Sequence, residues 1–208
     1  MNRYPRTTAI LLAAGGSTRL GRPKQLLHWD GTTLLGSTIN RLVTAGCERL
    51  IVVLGAYESV IREHCIAFSS IPLDMVTNVD WSQGQATSLR VGIEHAIVSD
   101  YRGETIVALC DQPLIDSGHY QQLITQVSLF GAFAAATVYP EGLGVPACFS
   151  VSALLSLSSS ISLGDFGAKK WLRAQKPDRL SRVQCPQAAL DIDTDIDYRE
   201  RMNHAQIV

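Results

Sequence analysis

The chain has 208 residues, 46% of them apolar, and a formal net charge of −1. This length suits one α/β domain, and the apolar share is ordinary for a protein with a buried core. The near-neutral charge and the lack of basic runs argue against a nucleic-acid partner. No apolar stretch is long enough to span a membrane, and the N-terminus does not resemble a signal peptide, so we expect a cytoplasmic protein.

The five cysteines occur singly, without a CxxC motif or a Cys/His cluster. This spacing gives little support to a zinc site or a redox dithiol, and isolated cysteines in a cytoplasmic protein are usually small buried residues. Two of them, Cys110 and Cys148, are expected near the functional site that the segments described below predict.

Apolar runs typical of strands alternate with helical patterns, which predicts a parallel or mostly parallel sheet flanked by helices. In chain order, the first half is predicted to contain strand Thr7–Ala13, helix Leu34–Ala45, strand Arg49–Leu54, helix Tyr57–Phe68, strand Leu73–Thr77, helix Ala86–Val98 and strand Thr105–Leu109. The second half is predicted to contain helix Ser117–Leu129, strand Ala132–Val138, a short antiparallel strand Pro146–Ser150, helices Val151–Leu157 and Phe166–Ala174, strands Ser181–Gln184 and Ala189–Ile192, and helix Asp195–His204. No linker marks a boundary, so we expect a single domain over residues 1–208.

A glycine-rich loop, residues 13–24, follows the first predicted strand and reads AAGGSTRLGRPK. Ligands of α/β sheets bind beyond the carboxyl ends of the strands, and small residues let the backbone approach a phosphate closely. Arg19 and Lys24 add cationic donors suited to a triphosphate. The spacing of Gly15, Gly16 and Gly21 does not fit GxGxxG, and Pro23 with the displaced lysine does not fit a Walker A loop.

This segment resembles the A-A-G-x-S-x-R-[ML]-G-x-x-K signature of the molybdenum-cofactor nucleotidyltransferases. The resemblance implies a Rossmann-like three-layer α/β/α domain with a mostly parallel sheet. It also implies a loop that wraps the nucleotide, with Arg19 and Lys24 as catalytic contacts to the phosphates. The residues expected to line the nucleotide are Ala13, Ala14, Gly15 and Gly16.

A second segment, Trp81–Arg90, resembles the W-x-x-G-x-x-x-S-L segment of the same family. Gly84 stands just before a predicted helix whose first turn carries Thr87 and Ser88, which favours an anion or base-edge site at the helix N-terminus. The alternative is an ordinary capped helix. We expect Gly84 and Ser88 to bind the nucleotide.

Two aspartates are expected to bind the metal. Asp111 ends a buried strand and is followed by Gln112 and Pro113, as in the D-x-P tripeptide that carries the metal-binding aspartate of the family. The segment Asp191–Asp197 resembles the family's D-I-D-T-P-E-D motif, and strand alternation would put Asp191 and Asp193 on one face. We expect Asp111, which also acts in catalysis, and Asp193 to hold Mg²⁺ or Mn²⁺, although either acid segment also has the composition of a helix or turn cap.

The acceptor-binding part is expected at roughly residues 130–208. Gly144–Phe149 resembles the family's G-x-P-x-x-F segment and assigns Pro146 and Phe149 to the acceptor. Residues 163–169 resemble its G-D-x-G-A-[RK] segment and assign Gly164 and Asp165 to it.

The resemblance implies nucleotidyl transfer to the terminal phosphate of a molybdopterin-type acceptor, with release of pyrophosphate. Ala14 stands where the guanylyl branch usually has glycine, so CTP is favoured over GTP or another NTP, and a molybdoenzyme is the expected recipient of the product. Guanylyl or sugar-1-phosphate transfer stays open, as does a nucleotide- or cofactor-binding chaperone without turnover.

Overall fold

The computed structural model describes residues 7–100, 102–161 and 167–205. Its strands are β1 Thr8–Leu12, β2 His28–Trp29, β3 Thr32–Thr33, β4 Arg49–Leu54, β5 Leu73–Thr77, β6 Thr105–Leu109, β7 Ala134–Tyr139, β8 Gly142–Phe149 and β9 Leu180–Gln184. Its α-helices are α1 Leu34–Thr44, α2 Glu58–Cys65, α3 Gln85–Val98, α4 Ser117–Ser128, α5 Val151–Ser160, α6 Ala168–Ala174 and α7 Asp195–Ala205.

A seven-stranded sheet in the order β5-β4-β1-β6-β8-β7-β9 forms the centre of the fold. Strand β8 runs antiparallel to β6 and β7, and the other neighbours are parallel. The mostly parallel sheet confirms the predicted fold class, and the predicted antiparallel strand at Pro146–Ser150 is the end of the longer β8.

Helices cover both faces of this sheet. Successive strand residues point to opposite sides, and in the central strands the residues on both sides are apolar and have to be buried. In β1, Ile10 and Leu12 pack with residues of α3, α5 and α6 on one face. Ala9 and Leu11 pack with residues of α1, α2 and α4 on the other. The continuous apolar run of β1 is therefore buried on both sides, as expected for a central parallel strand.

The hairpin of β2 and β3 was not predicted. Its turn is formed by Asp30 and Gly31, both with positive φ (50° and 73°), as a two-residue turn of the primed type requires. The Asp-Gly pair is the sequence signal for this turn. The hairpin places Trp29 in a small apolar cluster with Leu34 and Ile192, so it forms part of the surface on which the C-terminal segment docks.

The strand predicted at Ala189–Ile192 is wrong. Residues Pro186–Ala189 form a 3₁₀ turn, and the chain then runs on without strand pairing. Pro186 fixes the backbone φ needed to start that turn. The following segment is held by tertiary contacts instead: the Ile192 N–H donates to the Asp111 carbonyl at 2.9 Å, and the Ile192 side chain is fully buried.

Strands Arg49–Leu54, Leu73–Thr77 and Thr105–Leu109 have the predicted ends, and the other predicted elements are present with shifted ends. The predicted start of helix Phe166–Ala174 lies outside the described residues. Within the described ranges, none of the helices combines the length and apolar character required to cross a bilayer.

Candidate active site

The glycine-rich loop and Asp111 meet because they follow neighbouring parallel strands. Leu12 at the end of β1 pairs with Leu109 at the end of β6, so both strands deliver their next residues to the same edge of the sheet. A pocket of about 190 Å³ lies there. Its lining includes Ala13, Ala14, Gly15, Lys24, Gln25, Trp81, Ser88 and Asp111.

The loop cations and two acids form one ion-pair cluster. Lys24 Nζ lies 2.6 Å from Asp111 Oδ2 and 3.1 Å from Asp193 Oδ1. Arg19 Nη1 lies 3.0 Å from Asp193 Oδ2, the other oxygen of that carboxylate. Residues separated by up to 174 positions are therefore in direct contact, and the structure brings together the four residues predicted to act on the phosphates and the metal.

Lys24 is charged in this cluster. Burial disfavours the ammonium ion, but the charge of Asp111 and hydrogen bonds to Asp111 and Asp193 outweigh that effect and raise the pKa of Lys24. The Lys24 side chain is only 14% exposed, against 71% for Arg19. Lys24 is thus the enclosed cation of the site, whereas Arg19 pairs with Asp193 from a largely exposed position.

The C-terminal acids have separate tasks. The Asp197 carboxylate accepts from the N–H groups of Asp193 and Thr194 at 3.1 and 2.7 Å, which fixes the start of α7. Asp195 pairs with Arg22 at 2.6 Å. The predicted capping role of part of this acid cluster is met by Thr194 and Asp197, and Asp193 faces the loop cations.

Asp191 does not share the position of Asp193. Because the segment is not a strand, the expected alternation is lost, and Asp191 lines a neighbouring pocket with Gln112 and Tyr139. Burial, followed by the charge of Asp111, raises the pKa of Asp191 to about 6, although the residue keeps an exposed edge.

Gln25 holds the loop in place and was not identified from the sequence. Its Nε2 donates to the carbonyls of Ala13 and Gly15 at 2.8 and 2.9 Å, and only 1% of the residue is exposed. The Tyr57 hydroxyl donates to the Gly16 carbonyl at 3.1 Å. With these carbonyls bound to the protein, the loop is held in place, and the small residues at positions 14–16 can present their backbone N–H groups to a phosphate. A single Gln after Lys24 carries no sequence signal for this role.

The second predicted nucleotide segment is divided between two places. Ser88 lines the loop pocket, and its hydroxyl accepts from Asn78 Nδ2 at 2.9 Å. Gly84, with φ of 119° before α3, lines a neighbouring depression beside Lys169. Trp81 lies against the loop, since a Cβ on Gly16 would come within 2.9 Å of the indole ring. Gly16 therefore allows the close contact between the loop and Trp81.

A second pocket of about 190 Å³ adjoins the first and shares Leu12 and Leu109 with it. Its lining combines apolar and polar residues. The polar lining residues are Gln85, Gln112, Tyr139, Glu141, Lys169 and Asp191.

The predicted acceptor residues fit this second pocket only in part. Phe149 is wholly buried against Trp171, with ring centroids 5.7 Å apart, so the prediction that its side chain contacts the acceptor is corrected. The alternation of β8 turns Phe149 into the core beneath α6. Pro146 is also buried, and its neighbour Val145 lines the pocket instead. Gly164 and Asp165 lie outside the described residues.

The cysteines near the site are buried thiols. Burial raises the pKa of Cys110 to about 12 and that of Cys148 well above its ordinary value. Both are therefore protonated at neutral pH, when a thiol is a poor nucleophile or metal ligand.

The family model for the MobA-like NTP transferase domain matches residues 9–180. The chain belongs to this family. The match confirms the resemblance found in the sequence, and it makes the protein a MobA-like nucleotidyltransferase.

Relatives of this MobA-like chain carry different names. Nicotine blue oxidoreductase of Paenarthrobacter nicotinovorans is 31% identical over 92% of this chain and 93% of its own length. Molybdenum cofactor cytidylyltransferase of Escherichia coli is 32% identical over 40% of this chain and 42% of its own. The crystal structure of Rv0371c from Mycobacterium tuberculosis superposes with a TM-score of 0.78 at 32% identity, covering 97% of this chain and 100% of that one.

Rv0371c has also been solved as a complex with manganese, in a structure with a TM-score of 0.72 and 28% identity that covers 98% of that chain and 95% of this one. In the MobA-like chain, Asp111 Oδ1 is buried without a hydrogen-bond partner in the described part of the protein, so a carboxylate oxygen is left to bind a cation. The described residues contain no group of three or more His, Cys, Asp or Glu side chains arranged around a metal position. Two carboxylates fit Mg²⁺ or Mn²⁺ that takes its remaining ligands from water and substrate phosphates.

Proposed function

We propose that this MobA-like nucleotidyltransferase transfers CMP from CTP to the terminal phosphate of a molybdopterin-type acceptor and releases pyrophosphate. The observation that carries the proposal is the position of the Lys24, Asp111 and Asp193 cluster. Lys24 and Asp111 line the glycine-loop pocket, Asp193 contacts Lys24, and a second pocket of similar volume adjoins the first. The first pocket suits a nucleotide, and the second suits an acceptor.

The residues of the cluster match the needs of this reaction. An acceptor phosphate is already anionic when it attacks the α-phosphorus of CTP, so no general base is required. The protein has to orient two anions and neutralise their charge, which Arg19, Lys24 and the loop N–H groups are suited to do. Asp111 and Asp193 would hold Mg²⁺, which supplies further charge neutralisation on the phosphates when it is bound.

The choice of nucleotide rests on the loop. Ala14 stands where a guanylyl-type loop carries glycine, and it lies near Gly55, where an added Cβ would come within 2.8 Å of the Ala14 Cβ. The partial match to the Escherichia coli cytidylyltransferase supports the same choice. GTP, as in a guanylyltransferase, is the nearest rival.

The choice of acceptor rests on the second pocket. The apolar lining residues Leu12, Leu89 and Val107 suit a flat heterocycle, and the polar lining residues Gln112 and Asp191 suit its polar edge. A sugar-1-phosphate would make fewer favourable contacts with the apolar part of this lining. We also propose that the product passes to a molybdoenzyme in the cytoplasm, a compartment that keeps five free cysteines reduced.

The nearly full-length match to nicotine blue oxidoreductase raises a second candidate, an oxidoreductase, for which a bound dinucleotide would be a common hydride carrier. The glycines of the loop do not have the spacing of a dinucleotide-binding fingerprint. The cluster of two cations and two carboxylates suits a metal–triphosphate better than a hydride donor. These features favour nucleotidyl transfer.

The test is a turnover assay with the purified protein, Mg²⁺, molybdenum cofactor and each α-labelled nucleoside triphosphate in turn. We expect pyrophosphate and a labelled dinucleotide with CTP, and formation of both slower by about 100-fold or more with Asp111→Asn. Turnover with GTP alone would refute the choice of CTP, and turnover with glucose 1-phosphate alone would refute the acceptor. Nucleotide binding without pyrophosphate would indicate a chaperone, and oxidation of NADPH by an aromatic dye would favour the oxidoreductase.

A further inference from the structure

Lys24 occupies the space between the two carboxylates proposed to hold the metal. Its ammonium nitrogen contacts one oxygen of Asp111 at 2.6 Å and one of Asp193 at 3.1 Å, and it also donates to the Ile192 carbonyl at 3.3 Å. Three oxygens from two distant segments thus surround one cation. This is the ligand environment that a hard divalent cation seeks in proteins.

The carboxylates have little else to bind. The Asp111 side chain is 18% exposed, and its other oxygen is buried without a partner among the described residues. Asp193 has Arg19 on its second oxygen. An ammonium and a divalent cation repel each other, so they cannot both bind Asp111 Oδ2 and Asp193 Oδ1 at the same time.

Lys24 lines the loop pocket together with Ala13 and Gly15, so a ligand bound in that pocket would lie within reach of its ammonium group. A triphosphate in that pocket would attract the ammonium toward its own oxygens. Removing the ammonium from the carboxylates opens their oxygens at the moment when the phosphates can complete the coordination of a metal.

We propose that Lys24 is a built-in substitute for the metal, which holds Asp111 and Asp193 together until a triphosphate draws it away. The inference rests on the proposed nucleotide site and adds an order of events: metal and triphosphate enter together, and the free protein binds divalent cations weakly. The binding of the metal and that of the triphosphate are then coupled, because each favours separation of Lys24 from the two carboxylates.

The experiment measures Mn²⁺ binding to the nucleotide-free protein by electron paramagnetic resonance. We expect Lys24→Met to bind Mn²⁺ about 10-fold or more tightly than the wild type, since its carboxylates are no longer neutralised. Lys176→Met is the matched control, because Lys176 is exposed, and it should bind Mn²⁺ as the wild type does.

Arg19→Met is a second control, which distinguishes the removal of Lys24 from the metal position from a general loss of positive charge. Arg19 lies as close to Asp193 as Lys24 does, at 3.0 Å, but it does not contact Asp111. If Lys24 occupies the metal position, the affinity for Mn²⁺ should rise much more in Lys24→Met than in Arg19→Met. Equal gains, or no gain in Lys24→Met, would overturn the proposal.

Thermal unfolding establishes that each variant is folded, and Lys24→Gln carries the same expectation if Lys24→Met does not fold. A double variant, Lys24→Met with Asp193→Asn, should lose the gain; if it keeps the gain, the tighter Mn²⁺ is bound elsewhere and the proposal fails. None of these measurements uses CTP or the acceptor. If the turnover assay fails but the variants bind Mn²⁺ as expected here, the failure counts against the proposed function alone.

Discussion

Replacement of Gln25 by leucine tests whether the glycine-rich loop is positioned by a buried side chain. The substitution keeps the approximate volume and removes both donor contacts, to the carbonyls of Ala13 and Gly15. Each net hydrogen bond contributes about 1 kcal/mol, and a carbonyl left buried without a partner costs about 1–3 kcal/mol. Loss of the unpartnered Gln25 Oε1 offsets part of this. The expected loss in the free energy of unfolding is about 2 kcal/mol, or roughly 4–8 °C in Tm for a chain of this length.

The larger effect is expected on turnover. If Gln25 fixes the carbonyl side of the loop, its loss allows the N–H groups that face the phosphates to move, and small misplacements cost about 100-fold in rate. We therefore expect Gln25→Leu to lower kcat/KM for the nucleotide by about 100-fold, measured by pyrophosphate release at a temperature where the variant is fully folded.

The control is Gln121→Leu, the same change at an exposed position on α4. It should leave both Tm and kcat/KM near the wild-type values. A Gln25→Leu variant with wild-type turnover would refute the argument that this side chain positions the loop, even if its Tm fell as expected.

Three further predictions concern the metal site, pH and packing. Asp111→Asn should lower the rate of pyrophosphate release by about 100-fold or more, measured at a temperature where the variant is folded, because it removes a carboxylate from the ion-pair cluster; a normal rate would exclude Asp111 from catalysis. Burial lowers the pKa of His119, whose Nε2 lies 2.8 Å from Thr137 Oγ1. The unfolded chain then takes up a proton more readily than the folded one, so the free energy of unfolding should fall as pH drops below about 6.5, and urea titrations of His119→Gln should show a smaller fall. Gly92→Val should lower the free energy of unfolding by about 1–3 kcal/mol, since a Cβ at Gly92 would lie 2.6 Å from Ile10 Cγ2; an unchanged urea midpoint would contradict this packing.

The sequence by itself determined the fold class and the segments that form the site. The continuous apolar run of β1 required a strand buried on both faces, and the small residues and cations after it required a loop at the ligand-binding edge of the sheet. Asp111, directly after β6, was identified for the same reason. These features are local: strand period, glycine spacing and the residue type at a strand end are all readable within about twenty positions.

Only the tertiary structure decided which side chains meet. The contact of Lys24 with Asp193 spans 169 positions, and it depends on Ile192 docking beside Asp111 and Trp29 rather than on any strand pattern. The strand predicted at Ala189–Ile192 was wrong for the same reason, because contacts between distant residues outweighed the apolar character of this segment.

The burial of Gln25 and Phe149 could likewise not be predicted from the local sequence pattern. A polar residue becomes a core residue only when specific carbonyls lie within reach, and a motif phenylalanine turns inward only when a helix such as α6 covers it. The sequence therefore identified the chemistry available at this edge of the sheet. The packing of the chain determined that Lys24 stands between the two acids, because only there are three oxygens close enough to offset the cost of burying its charge.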